Sequence, residues 1–133
     1  MANWYGVVRT NYFRVKDVAA FEAAFANYDV EVIEDSEGRV GLVGSSEGYW
    51  PDVVVDYENG PTDIDFDITE AVAEHLLDNE VAVFVGSGAE KARYVTGYAT
   101  AINAAGERLG ISIDDIYGLV KQQWGVEPTA AEY

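Results

Sequence analysis

The chain has 133 residues, no cysteine and a formal net charge of −16 at pH 7. That length fits one domain, and the missing cysteine excludes disulfides, thiolate catalysis and cysteine-ligated metal. With 49% hydrophobic and 13% aromatic residues, the acidity does not belong to a disordered chain, which pairs high charge with low hydrophobicity.

The N-terminus lacks a basic start followed by an apolar core, so no signal peptide is expected. Trp4 to Val8 and Tyr12 to Val15 read as strand. Asp17 is a good N-cap for a helix from Val18 to about Asn27, with Val18, Phe21 and Phe25 on one buried face. Val30 to Ile33 and Val40 to Val43 flank a polar, glycine-containing turn and read as a hairpin. Gly48 to Pro51 is a loop, and Val53 to Val55 a strand closed by the turn signal Glu58-Asn59-Gly60-Pro61.

Asp63 to Asp67 alternates strictly and predicts a half-buried strand. Thr69 is expected to cap a helix through Leu77, with Ile68, Val72, Leu76 and Leu77 facing inward and Glu70 suiting the helix dipole. Val81 to Val85 is the longest apolar run, too short for the ~18 residues of a membrane span. It reads as a strand ending at a flexible turn, Gly86-Ser87-Gly88. Arg93 to Asn103 alternates as a long strand, Arg108 to Ile111 as another. A last helix starts at Ser112 or Asp114, runs to about Trp124 and stops at Gly125. The tail, 126–133, is expected to be loose.

The predicted order is β α β β β β α β β β α with short turns. That is an α+β class: one domain over 1–133, a mainly antiparallel sheet and about three helices.

The charge is uneven. Between Asp17 and Glu80 lie eighteen acidic residues and one basic residue, Arg39, a local net of −17. A compact fold with such a field repels itself, and the field suits a basic partner. Asp63, Asp65 and Asp67 would line the outer face of their strand, and Glu70, Glu74 and Asp78 would repeat at i+4 on the helix beside it. With Asp56 and Glu58 these carboxylates are the candidate partner-binding surface, arranged as a nucleic-acid backbone arranges phosphates. The plain alternative is a solvated acidic face. Tyr49 and Trp50 are candidate interface anchors, or a loop folded back over the core.

Other chemistry is poorly represented. Asp63, Asp65, Asp67 and Glu74 match calcium-loop spacing, but Ile68 stands where the loop needs glycine, so no metal site is expected. Gly86-Ser87-Gly88 lacks the third glycine of a dinucleotide loop. The lone His75 lies on the side of a helix without metal-ligand companions. No nucleophile–base set is apparent, so neither catalytic residues nor a cofactor are expected. An acidic surface repels nucleic acid and anionic lipid, so neither is expected to bind directly.

The segments Asn3-Trp4-Tyr5-Gly6, Arg9 to Asp17, Gly88 to Tyr98 and Asp114-Asp115-Ile116-Tyr117 resemble a group of uncharacterised small acidic proteins from bacterial phages, plasmids and integrative elements. The resemblance covers most of the chain and carries no catalytic residues. It implies a mobile-element protein in the bacterial cytoplasm, a setting in which small acidic proteins inhibit host defence by mimicking DNA. The expected function is a non-enzymatic, anti-restriction or anti-CRISPR type of inhibitor acting on a basic nucleic-acid-binding protein. An immunity protein capping a basic toxin and an acidic virion-associated protein are the alternatives; the oligomeric state is left open.

Overall fold

The computed structural model describes residues 4–44, 48–50, 54–56, 60–62, 67–92 and 94–131. Chain order is β1 (Trp4–Thr10), α1 (Val18–Phe25), β2 (Glu31–Glu34), β3 (Val40–Val43), β4 (Val54–Asp56), β5 (Gly60–Thr62), α2 (Ile68–Ala73), β6 (Val81–Glu90), β7 (Tyr94–Asn103), β8 (Arg108–Ser112) and α3 (Asp115–Trp124). Six strands make one antiparallel sheet in the order β2-β3-β1-β6-β7-β8, and β4 pairs with β5 apart from it. The fold is the expected α+β domain.

Alternation along the strands decides which face is covered. Val8 and Thr10 of β1, Ala82 and Phe84 of β6 and Ile102 of β7 are buried. The register places them on one side, with Thr10 opposite Phe84 and Ala82 opposite Ile102. Onto that side α1 delivers Phe21 and Phe25, and α2 delivers Ile68, Val72 and Ala73. Phe21 contacts Phe13 edge-on with ring centroids 5.8 Å apart and Phe25 at 4.9 Å. Such buried rings dominate the stabilisation of a core this size, each removing about 150–250 Å² from water.

Local chemistry fixes the ends. The Asp17 carboxylate accepts from the Ala20 amide at 3.1 Å and starts α1. The hairpin turn is closed by Asp35, which accepts from the Glu37 and Arg39 amides, both at 2.9 Å. Where β1 ends, Asn11 carries the pairing on with its side chain. It accepts from the Val83 amide at 2.7 Å and donates to the Val81 carbonyl at 3.1 Å. The buried Thr10 hydroxyl donates to the Asn11 carbonyl and accepts from the Leu42 amide, each at 2.8 Å. Gly48 lies directly on Gly6: a Cβ built on Gly48 would fall 2.4 Å from the Gly6 carbonyl carbon. Glycine at both positions lets the loop touch the sheet.

Several expectations are corrected. Tyr12 to Val15 is no continuous strand; Phe13 and Val15 form isolated bridges to Val40 and Leu76. Gly86-Ser87-Gly88 is no turn. β6 runs through it to Glu90, because the Tyr98 ring lies across Gly86, where an added Cβ would come within 2.5 Å of it. The fifth strand is Gly60–Thr62, which overlaps the expected turn signal at Gly60-Pro61. The expected strand at Asp63 to Phe66 falls outside the described residues, as do Glu58 and Val53, while Asp67 is not strand. Asp67, not Thr69, caps α2, and α2 ends at Ala73 rather than Leu77. Leu76 is pulled into its bridge with Val15, and Asn79 turns the chain with a φ of 69°. Leu77 consequently faces outward. Past α3, Lys121 pairs with Glu127 at 2.6 Å, and the Ala131 amide donates to the Tyr117 hydroxyl at 2.6 Å. These bonds hold the first part of the tail along α3.

Candidate functional site

The candidate surface is the acidic one. Of the twelve acidic side chains described between Asp17 and Glu80, ten are exposed, and only Asp35 and Glu80 are half-buried. They occur on α1, α2 and the edge strand β2 and in the caps and turns beside these elements. Glu22, Asp29, Glu31, Glu34, Glu74 and Asp78 are exposed, and none of them makes an ion pair among the described residues.

Two of the candidate carboxylates have a cation. Arg108, on β8, reaches Asp67 Oδ2 at 2.8 Å and Glu70 Oε1 at 3.0 Å. Burial pushes the Asp67 carboxyl up, but hydrogen bonds from the Thr69 hydroxyl, Arg108 and the Thr69 amide outweigh it, and its pKa lies below the ordinary value. Arg108 rises above its own ordinary value, chiefly through its hydrogen bond to Asp67. The sequence pattern gives no sign of this contact, since the partners are 41 residues apart.

The expected helical row Glu70, Glu74 and Asp78 is not formed. Glu74 is the C-cap of α2, and Asp78 lies in the turn beyond it. Asp67 does not stand on a strand beside them; its carboxylate is turned to Thr69 and Arg108. Asp63, Asp65 and Glu58 fall outside the described residues, and Asp56 is placed only as backbone in β4. The regular phosphate-like ladder is thus replaced, among the described residues, by a scattered acidic surface on α1, β2 and α2.

The adjacent aromatics divide. Tyr49 is 56% exposed. Trp50 packs into the fold, its ring edge-on to Phe84 at 5.3 Å. Burial raises the Tyr98 phenol above its ordinary pKa, and the neighbouring Trp50 indole N–H offsets this only in part. That N–H is buried and makes no well-formed hydrogen bond among the described residues. Trp50 is therefore a core-facing residue and Tyr49 the one that presents itself.

His75 stacks edge-on against Phe21 at 5.6 Å and completes the aromatic core. Among the described residues no group of three or more His, Asp or Glu converges as metal ligands. No described helix is long and apolar enough to cross a membrane. No family model matches the chain, and comparison with curated proteins and with solved structures finds no significant similarity.

Proposed function

We propose that this protein is a non-enzymatic acidic inhibitor from a mobile genetic element. Its acidic surface occupies the nucleic-acid-binding surface of a basic partner, such as a host defence nuclease or CRISPR-type effector. The observation that carries this reading is the set of exposed carboxylates of Glu22 on α1, Glu31 and Glu34 on β2, and Glu74 and Asp78 after α2, which make no ion pair among the described residues. Like charges held together cost stability; a basic partner removes that cost and is steered by the same field. Among the described residues the mimicry is one of charge density rather than of a regular ladder. Tyr49, exposed beside the acidic segments, supplies an aromatic contact at the rim.

Immobilised protein exposed to bacterial lysate tests the reading. A basic nucleic-acid-binding protein held at low salt, released at high salt and displaced by duplex DNA is the expected result. Capture that is indifferent to both salt and DNA overturns it.

A further inference from the structure

The sheet has a second face, and no element among the described residues covers it. On it stand Tyr5 and Val7 of β1, Val83 and Val85 of β6, and Leu109 and Ile111 of β8, which the register aligns on the side opposite the core. Leu109 is 78% exposed and Ile111 69%. On that side β7 presents Val95, Gly97, Ala99, Ala101 and Asn103, and the small residues Gly97, Ala99 and Ala101 floor a trough beside Leu109 and Ile111.

The helix that follows β8 does not close it. None of the residues of α3 is buried. Its apolar ridge, Ile116 and Leu119, stays exposed at 54% and 50%, and Trp124, further round the helix, is 76% exposed. Ile113, Ile116 and Leu119 form one wall of an open groove of about 640 Å³, and Gly97, Ala99 and Ile111 form the other. The tail is no occupant, because through residue 131 it bonds along Tyr117 and Lys121.

We infer that the open sheet face and the α3 ridge together form a homodimer interface, in which α3 of each copy lies in the β7–β8 trough of the other. Three observations select a second copy as occupant. The chain carries both halves of the fit, a trough and an apolar ridge of matching chemistry, as a two-fold self-complementary contact requires. Tyr5, Val7, Leu109, Ile111, Ile113, Ile116 and Leu119 are each 49–78% exposed, a run of large apolar side chains that marks an interaction site, of the kind from which a stable interface burying ~800 Å² per partner is built. The charge is also segregated: residues 81–126 carry four acids and four bases, whereas 17–80 carry the net −17. A basic partner is drawn to the acidic half, while two copies meet at the neutral half with their acidic surfaces directed apart. The inferred dimer therefore presents two acidic surfaces, and its interface is the same whatever those surfaces bind.

Sedimentation velocity of the full chain at micromolar concentrations tests this. The wild type should sediment as a dimer, and raised salt should strengthen it, since screening removes repulsion while apolar burial persists. Leu109→Glu with Ile111→Glu on the sheet, and separately Leu119→Glu on α3, should each give monomers with an unchanged circular-dichroism spectrum. A monomeric wild type overturns the inference and leaves the face to a foreign partner or a lipid surface. A dimer that survives both variants also overturns it, as does one that dissociates as salt is raised. The wild-type mass requires no variant, so a variant that misfolds does not shield the inference.

Discussion

Arg108 holds Asp67: the guanidinium of a strand at one edge of the sheet sits 2.8 Å from the carboxylate that caps the second helix. The contact ties the near-neutral C-terminal half of the chain to its acidic half. It also removes Asp67, and through the same Nη2 atom Glu70, from the carboxylates left without a cation.

The Asp67 contact has a pH signature. Its folded pKa is lowered, so its contribution is complete above the ordinary carboxylate pKa of about 4 and is lost as pH falls through the folded value. Asp67→Asn keeps an oxygen for the Thr69 amide and removes the charge. Urea unfolding should show the wild type more stable near neutrality by no more than about 1 kcal/mol, because the pair is partly exposed. That difference should shrink toward zero on acidification. Protonation of the other carboxylates acts on both proteins alike and cancels. A difference that grows as pH falls would contradict the assignment.

Two glycines separate backbone conformation from close approach. Gly38 has a φ of 78° and open space where a Cβ would stand, whereas Gly48 has a φ of 84° and lies against Gly6. Gly38→Ala should cost about 1 kcal/mol for the left-handed conformation alone. Gly48→Ala adds overpacking against backbone that cannot rotate away, for a total of about 2–4 kcal/mol. Thermal unfolding that ranks them equal would refute the packing of the loop on the sheet.

The aromatic pair should split in the same way. Trp50→Ala removes a ring packed on Phe84 and should cost about 2–4 kcal/mol. Tyr49→Ala, at an exposed site, should change stability by less than about 1 kcal/mol while weakening partner binding. If Tyr49 proves the costlier residue to stability, their roles have been exchanged.

Local chemistry made much of this fold legible. Asp17 stands directly before an apolar i, i+3, i+7 pattern, and the alternation from Arg93 to Asn103 admits no helix. The misread positions are those where a distant contact decides. Gly86-Ser87-Gly88 has the composition of a turn, and only the Tyr98 ring from the next strand explains glycine inside β6. Thr69 and Asp67 are both acceptable caps by residue type; the choice follows from Asp67 binding Thr69 and Arg108 together. Arg108 belongs to the acidic site through a tertiary contact that no local pattern encodes. The open sheet face did leave a trace. Val81-Ala82-Val83-Phe84-Val85 is apolar on both faces, as in a strand covered on both sides, yet the helices of the chain cover one.

The most direct test of the acidic reading is the affinity of the DNA-displaceable partner for a variant carrying Glu22→Gln, Glu31→Gln, Glu34→Gln, Glu74→Gln and Asp78→Asn. All five side chains are exposed and lack ion pairs among the described residues, so the variant should fold and, with less self-repulsion, lose no stability. Each rim pair contributes little alone, but removing five should weaken binding at least about tenfold and flatten its salt dependence. A folded variant that binds as tightly as the parent, with the same response to salt, would contradict the account and reduce the acidic surface to a solubility device.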